Sequence, residues 1–356
     1  MRILLVTRGF PPRVGGVERV CAELAAGLAA AGDEVTVLTF GGRGRRTAAV
    51  ADPDRRAPYQ VVRLPSLGDT FEFSPRLVRW LRWLPFDALH VHNLHSTVAV
   101  ATWRAGVRPY VLTTHYHGSG HTPAARLLHP LYRPLAARIV RDAARVTAVS
   151  TGEAALVAAD FGVRPLVIGN GVSGALLAGL PRPDADGCRR LLVVSRLVAY
   201  KRVDAAIAAL DRLPARYVLD VVGDGPERGR LEHLASTLGV AGRVRFLGGG
   251  LPDERIHQLL RRADVYLNLS EAEAFSLVVL EALAAGTPVV VGGAAVLLAW
   301  QTRFPGAVLA AAAPGPAAVA EAVARLDGRR VRVDLGAYEW ASIVARYRQV
   351  YAGVVA

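Results

Sequence analysis

The chain has 356 residues and a formal net charge of +13, with 52% hydrophobic and 21% charged side chains. This length suits two domains of about 170 to 180 residues, and this composition excludes an intrinsically disordered protein. No apolar stretch reaches the length of a membrane span, and residues 1–7 are predicted to form a strand too short for the core of a signal peptide. Aromatic residues make up only 7% and are not interleaved with arginines, so nucleic acid is not an expected partner.

The positive charge is concentrated in the N-terminal half. Residues 1–180 contain 21 arginines and 12 acidic residues, whereas the remainder contains 22 basic and 18 acidic residues. An anionic membrane surface or an anionic substrate is therefore the expected partner of that half. Lys201 is the only lysine among 43 basic residues. A lysine kept against such a bias suggests chemistry that a compact ammonium performs better than a planar guanidinium, although chance retention is the alternative.

Short apolar runs alternate with helical patterns along the chain. In the first half, the predicted strands are 3–7, 35–39, 61–64, 88–92, 110–114, 146–148 and 166–168, and the predicted helices are 17–31, 75–84, 96–104, 124–142 and 152–160. In the second half, the strands are 190–195, 217–222, 244–247, 265–269 and 288–291, and the helices are 203–210, 227–238, 252–262, 277–285, 317–326 and 338–354. The strands are continuously apolar, which is typical of parallel sheets covered by helices on both faces.

Residues 174–187 are rich in glycine, proline and aspartate and are the predicted linker. It separates an N-terminal domain, 1–173, from a C-terminal domain, 188–337. Each domain is expected to be α/β, doubly wound and Rossmann-like. Because such domains bind ligands beyond the carboxyl ends of their strands, we expect the two domains to face a central cleft.

The most informative segment contains two glutamates, Glu273 and Glu281, eight positions apart. Glu273 follows a predicted strand, and the amides of Phe275, Ser276 and Leu277 open the next helix. Unpaired N–H groups and the positive end of the helix dipole favour phosphate binding there. The alternative is an ordinary N-terminal charge together with a solvated Glu281.

Glycines and basic residues follow other predicted strands. Gly15 and Gly16 precede the first helix, where paired glycines allow a close approach of the backbone to an anion, or simply form a turn. Arg196 and Lys201 follow the first strand of the C-terminal domain and could hold a diphosphate, or be a surface pair. Gly223 lies in a glycine-bearing loop after the next strand and is expected to face the same ligand.

Histidines cluster after two strands of the N-terminal domain, at His90, His92, His95, His115 and His117. Their spacing is not that of a zinc site on a helix and no cysteine supports one, so no metal is expected. Two Asp-x-Asp stretches lie in proline-bearing irregular segments and are interpreted as ordinary loop acids. His115 is the best candidate for a hydrogen bond to substrate, whereas His90 is expected in the core.

Together these segments resemble the retaining, nucleotide-sugar-dependent glycosyltransferases of family four, which have the GT-B fold. The resemblance extends over nearly the whole chain. It is most specific from Glu273 to Glu281, which matches the family's Glu-x7-Glu signature, and Arg196 and Lys201 match its diphosphate clamp. Tyr338-Glu-Trp340 resembles the start of the C-terminal helix that crosses back to the first domain, so residues 338–356 are expected to pack there.

The resemblance implies a role for each matching residue. Glu281 would hold the ribose hydroxyls of the donor, and Glu273 would contact hydroxyls of the transferred sugar. Arg196 and Lys201 would neutralise the leaving diphosphate in place of a metal ion. His115 would lie near the reacting sugar, and the glycines and helix amides would bind the donor. The implied catalytic residues are His115, Arg196, Lys201 and Glu273, and the implied donor-binding residues are Gly15, Gly16, Gly223, Phe275, Ser276, Leu277 and Glu281.

The implied activity is transfer of a sugar from a nucleotide-diphosphate donor to a hydroxyl of a lipid-linked or cell-envelope glycan, without metal or cofactor. We expect a cytoplasmic protein, and the basic N-terminal half suggests peripheral association with the inner membrane face. The alternatives are a GT-B nucleotide-sugar epimerase or phosphorylase, and a nucleotide-sugar-binding or nucleic-acid-binding protein without catalysis. Residues 292–302 depart from the family pattern because they lack the acid usually found after the glycines. We expect this departure to affect donor-sugar selectivity or activity.

Overall fold

The computed structural model describes residues 1–13, 15–43, 57–68, 72–118, 123–173, 187–311 and 315–355. It divides into two compact α/β units, each taken separately below. The first unit is Met1–Gly171 together with Trp340–Ala356, and the second unit is Val172–Glu339. The linker expected at 174–187 lies outside the described residues except for Gly187.

The described part of the first unit contains a seven-stranded parallel sheet in the order β3-β2-β1-β4-β5-β6-β7. The strands are β1 (Arg2–Val6), β2 (Glu34–Arg43), β3 (Gln60–Ser66), β4 (Ala88–His92), β5 (Val111–Thr113), β6 (Arg145–Ala148) and β7 (Leu166–Val167). The helices are α1 (Gly16–Ala30), α2 (Leu77–Trp83), α3 (Thr97–Arg104), α4 (Pro123–Arg141) and α5 (Thr151–Phe161).

Alternation along β1, which has a neighbouring strand on each side, explains why the apolar runs are continuous. In β1, Ile3 and Leu5 join one core cluster, whereas Leu4 and Val6 join another on the opposite face of the sheet. Both faces are therefore buried, as the continuous runs predicted.

The last helix of the chain belongs to the first unit. This helix (Trp340–Val355) packs against α1, where a Cβ added to Gly27 would lie 2.5 Å from Val344 Cγ2. Ile343, Tyr347 and Tyr351 join the same core cluster as Ile3 and Leu5. The helix thus completes one face of the first sheet.

The described part of the second unit contains a six-stranded parallel sheet in the order β10-β9-β8-β11-β12-β13. The strands are β8 (Arg189–Val194), β9 (Tyr217–Val222), β10 (Val244–Gly248), β11 (Val265–Asn268), β12 (Val289–Val291) and β13 (Val308–Ala310). The helices are α6 (Val203–Leu210), α7 (Arg228–Thr237), α8 (Asp253–Arg262), α9 (Leu277–Ala284), α10 (Ala295–Arg303) and α11 (Pro316–Leu326), and the final helix Trp340–Val355 is α12.

Sequence analysis missed two elements of the second unit, α10 and β13. The segment of α10 begins with glycines and alanines and lacks a polar capping side chain, so no helix start was recognised. Strand β13 has only three residues, of which one is buried. Within the described ranges, no helix is both long enough and apolar enough to cross a membrane.

Candidate active site

Lys201 and Glu273 meet at the carboxyl end of the second sheet. Strands β8 and β11 are hydrogen-bonded neighbours, so the loops that follow them begin side by side. Lys201 ends a short 3-10 turn, and its Nζ lies 2.5 Å from Oε1 of Glu273. Their side chains are 15% and 14% exposed. The structure thus joins two of the predicted catalytic residues, 72 positions apart in the chain, in a largely buried ion pair.

Asn268, the last residue of β11, organises the loop that carries Glu273. Its side-chain amide donates to Glu273 Oε1 at 3.3 Å and to Ser276 Oγ at 2.6 Å. Ser276 has φ +68°, in the left-handed region that a non-glycine residue rarely adopts, and it directly precedes α9. The amides expected to bind an anion are therefore held beside the Lys201–Glu273 pair, at a helix N-terminus.

Tyr200 connects the loops that follow β8 and β11. Its carbonyl accepts from the N–H of Glu271 at 2.8 Å, and its hydroxyl accepts from the Arg196 guanidinium at 2.9 Å. The Lys201 ammonium lies 5.4 Å from the centre of the Tyr200 ring. Both cations therefore lie at the same end of the sheet, and the Arg196 side chain is exposed to solvent.

A small pocket lies beside Lys201. Ser195, Tyr266 and Asn268 contribute to its lining. Burial raises the pKa of the Tyr266 phenol well above its usual value, and the negative charges of Glu273 and Glu281 add to this effect. Tyr266 is therefore a neutral residue of the pocket lining, within electrostatic range of both acids.

Gly223 brings two loops into close contact. A Cβ added to it would lie 1.8 Å from the carbonyl oxygen of Ser195, and its φ of +139° disfavours any side chain. Its own N–H donates to the Gly248 carbonyl at 2.8 Å. Gly223 thus packs against the backbone immediately before Arg196.

Glu281 is buried in α9, with 3% of its surface exposed. Its Oε1 lies 3.8 Å from Nε2 of His257 in α8, a residue that sequence analysis did not single out. The alternative interpretation of Glu281 as a solvated charge is therefore wrong. Nothing in the local sequence pattern distinguished His257 from a surface histidine of an amphipathic helix.

Trp300 is a second residue that sequence analysis missed, and it lies in the divergent segment 292–302. Its indole N–H donates to the carbonyl of Phe275 at 2.9 Å. The ring packs edge-on against Phe275 at 5.2 Å and contacts Phe304 and Tyr338. Because C=O and N–H point in opposite directions across a trans peptide, this bond directs the Ser276 N–H away from the aromatic cluster.

In the first unit, Gly15 and Gly16 differ in their surroundings. A Cβ added to Gly15 would lie 2.2 Å from Oε2 of Glu18, an acid in the first turn of α1. Gly16 has nothing within 4 Å of such an added atom. The space beside Gly15 is thus occupied by a carboxylate, and the open approach to the backbone is at Gly16.

His115 follows β5 and is buried, with φ +46°. Its Nε2 lies 3.4 Å from Nδ1 of His92, and the two rings are stacked. Burial, together with the neighbouring His92 and His117, lowers the pKa of His115 well below its usual value. His115 is therefore a neutral imidazole that can donate or accept one hydrogen bond per nitrogen.

His90 lies in the core, as predicted. Its ring nitrogens lie 2.8 Å from the Tyr351 hydroxyl of α12 and 2.7 Å from the Thr113 hydroxyl. Burial lowers the pKa of His90 to about 3. Over the ranges that the structure describes, no group of three or more His, Cys, Asp or Glu side chains is arranged to hold a metal ion.

Known proteins match the chain in both units. Residues 14–174 match the family model of Glycosyltransferase Family 4, and residues 182–298 match that of Glycosyl transferases group 1. The chain is 32% identical to the GDP-mannose-dependent alpha-(1-6)-phosphatidylinositol monomannoside mannosyltransferase of Mycolicibacterium smegmatis, over 82% of this chain and 80% of that protein. It is 30% identical to the glycogen synthase of Mycobacterium tuberculosis, over 82% of this chain and 77% of that protein. The chain belongs to the family-four glycosyltransferases.

Solved structures share the fold of this glycosyltransferase. Sucrose-phosphate synthase of Thermosynechococcus elongatus aligns with a TM-score of 0.78 and 20% identity, over 99% of both chains. HepE of Anabaena, solved in complex with UDP and glucose, aligns with a TM-score of 0.78 and 20% identity, over 99% of this chain and 100% of that chain. The predicted two-domain GT-B class is therefore confirmed.

The glycosyltransferase thus carries its predicted site residues in two groups, one in each unit. The second unit brings together Lys201, Glu273 and the amides before α9, with Arg196 attached through Tyr200. The other members of that group are Gly223, Phe275, Ser276, Leu277 and Glu281. The group of the first unit is Gly15, Gly16 and His115.

Proposed function

We propose that this glycosyltransferase transfers a sugar from a nucleotide-diphosphate donor to an acceptor hydroxyl with retention of anomeric configuration and without a metal ion or cofactor. We further propose that the acceptor is a lipid-linked or cell-envelope glycan, reached by peripheral association with the inner face of the cytoplasmic membrane. The observation that carries the proposal is the Lys201–Glu273 pair beside the N-terminus of α9.

The chemistry requires positive charge where the diphosphate leaves. As the bond from the anomeric carbon to the phosphate oxygen breaks, negative charge develops on that oxygen. Lys201, Arg196 and the amides before α9 are the donors available to stabilise it, which is the part a divalent cation would otherwise play. Glu273, held by Lys201 and Asn268, is suited to accept hydrogen bonds from sugar hydroxyls.

Retention follows from the route of attack in this proposal. The acceptor hydroxyl enters on the face from which the diphosphate leaves, and its oxygen forms the new bond to the anomeric carbon. Its proton passes to the departing phosphate oxygen, so atoms and charge balance. Glu273 is already bound by an ammonium, which disfavours a role as carboxylate nucleophile and supports this front-face route.

Relatives support the donor class and the setting. HepE was also solved with UDP-glucose, and the mycobacterial mannosyltransferase is named for GDP-mannose and a phosphatidylinositol mannoside. A lipopolysaccharide core glycosyltransferase of Rhizobium meliloti is 41% identical over 28% of this chain. The excess of arginine in residues 1–180 supports attraction to an anionic membrane surface.

A donor panel tests the proposal. Purified protein is screened by thermal shift against UDP-glucose, GDP-mannose and ADP-glucose, because a bound donor raises Tm by mass action. The donor that binds is then incubated with membrane lipid extracts and with soluble glycans, with and without EDTA, and the product anomer is read by NMR. We expect a product of retained configuration both with and without EDTA.

Three outcomes would contradict the proposal in different ways. If EDTA abolishes activity and added Mg²⁺ or Mn²⁺ restores it, the proposed metal independence is contradicted. Epimer formation from the donor alone, or tight donor binding without transfer, would favour the epimerase or the non-catalytic binding protein. If the protein floats equally with neutral and with anionic liposomes in a flotation assay, the proposed attraction to an anionic membrane surface is contradicted.

A further inference from the structure

Glu153 is a buried carboxylate that the proposed reaction does not use. It lies in the first turn of α5, and only 2% of its surface is exposed. Its own N–H donates to the capping hydroxyl of Ser150 at 3.1 Å, so the helix already has a cap. Burial raises the pKa of Glu153 to about 7, and hydrogen bonds to its oxygens oppose that rise. Burying a glutamate here is therefore unfavourable, and a role in starting the helix does not by itself explain it.

The carboxylate is used to hold the loop that carries His115. Oε1 accepts from the hydroxyl of Thr114 and, at 2.7 Å, from the N–H of Tyr116. Oε2 accepts from the N–H of Val149 at 2.7 Å. One oxygen thus binds the residues on both sides of His115, and the other oxygen fixes the carboxylate to the loop after the neighbouring strand β6.

This bridge explains the backbone of His115. A non-glycine residue in the left-handed region is strained, so the φ of +46° needs support from its surroundings. Both flanking bonds converge on a single acceptor, which brings residues 114 and 116 together around His115. The imidazole is then held against His92, with 3.4 Å between the two ring nitrogens.

We propose that Glu153 is a positioning residue for sugar transfer, which fixes the backbone of His115 and so aims its imidazole at the substrate. The inference rests on the proposed function and on a place for His115 beside the reacting sugar, which the family resemblance implies. Glu153 contacts no substrate in this account and acts only through the loop 114–116.

Variants of the bridge test the inference. Glu153→Gln keeps the shape but replaces one acceptor by an NH₂ group, and Thr114→Val removes one donor. Thr102→Val is the matched control, because Thr102 is also fully buried and its hydroxyl donates to the carbonyl of Val98, within α3. We expect both bridge variants to lower kcat at least about tenfold at saturating substrates, while the donor Kd and the control stay within twofold of the wild type.

A double-mutant cycle separates positioning from general structural support. In a His115→Ala background, Glu153→Gln should cause no further loss of kcat, because its effect acts through the missing ring. Independent losses that multiply would overturn the inference, as would a folded Glu153→Gln protein with kcat within twofold of the wild type. If His115→Ala alone leaves kcat unchanged, the proposed role of His115 is what fails.

A readout that needs no activity keeps the inference testable if no acceptor is found. Selective ¹⁵N-histidine labelling, with His115→Gln for assignment, reports the His115 amide and ring. We expect its resonances to move in Glu153→Gln and Thr114→Val but not in Thr102→Val. Unchanged His115 resonances in both bridge variants would overturn the inference even if the enzyme proved inactive.

Discussion

Lys201→Ala is the substitution that examines the candidate site most directly, and Arg202→Ala is its matched control. The two cations are adjacent, and each binds a glutamate of the loop after β11. Lys201 Nζ lies 2.5 Å from Oε1 of Glu273, which is 14% exposed, whereas Arg202 Nη1 lies 2.9 Å from Oε1 of Glu271, which is 57% exposed. The pairs therefore differ mainly in burial and in their proposed contact with the donor.

The expected magnitudes follow from this difference. Arg202 also lies 3.3 Å from Asp204, and loss of its contacts with Asp204 and with the exposed Glu271 should lower the free energy of unfolding by about 0–1 kcal/mol. Loss of Lys201 leaves the largely buried Glu273 without its cation, which should cost about 1–3 kcal/mol. Lys201 is also proposed to bind the diphosphate, and one charge-assisted hydrogen bond of about 1.5–3 kcal/mol corresponds to a donor Kd about 10- to 150-fold weaker.

The assay combines urea denaturation with calorimetric titration of the donor that binds the wild type. We expect Lys201→Ala to weaken donor binding within that range and Arg202→Ala to leave the Kd within twofold. Lys201→Arg should be intermediate, since it keeps the charge but not the compact geometry. The reasoning is refuted if both alanine variants weaken binding equally, or if Lys201→Ala binds the donor as the wild type does.

Three further predictions concern other parts of the molecule. His90 has a pKa of about 3 in the folded state and about 6.5 in the unfolded state, so the stability it contributes is present above pH 6.5 and is lost as the pH falls. When the pH is lowered from 7.5 to 5.5, the free energy of unfolding measured in urea should therefore fall by about 1.4 kcal/mol less for His90→Gln than for the wild type. Trp300→Phe keeps the aromatic packing but removes the N–H bond beside the donor amides, so calorimetry should show weaker donor binding, whereas Trp103→Phe, which removes an indole bond in the first unit, should not change it. Gly223→Ala should lower Tm sharply, while Gly229→Ala, at a helical position with open space, should raise it slightly.

Much of the fold was predictable because burial leaves a pattern in the sequence. Strand β1 is apolar at successive positions, which requires a sheet covered on both faces, and most helices were recognised from their spacing. The segment of α10 carried no such signal, since its start is rich in glycine and alanine. The role of Trp300 depends on its hydrogen bond to the Phe275 carbonyl, 25 positions away in sequence, which no local pattern predicts.

The candidate site was predictable in its members but not in its contacts. Lys201 and Glu273 were recognised from their places after strands and from the family resemblance, which assigned both to the donor. Neither argument predicted that the two bind one another, because side-chain pairing depends on the adjacency of β8 and β11. Glu153 was missed for the same reason, since a glutamate in a first helical turn is common, and its partners at 114 and 116 lie in the loop that follows β5.

The order of the two units along the chain has a consequence for biosynthesis. The first unit includes α12, whose Tyr351 binds His90 and whose Tyr347 hydroxyl lies 3.2 Å from that of Thr113. The second unit is thus an insertion within the first, and a ribosome must complete that insertion before it releases the helix that the first sheet needs. The inserted unit is therefore expected to fold first during translation, and a fragment cut at Gly171 would leave the imidazole of His90 without its tyrosine.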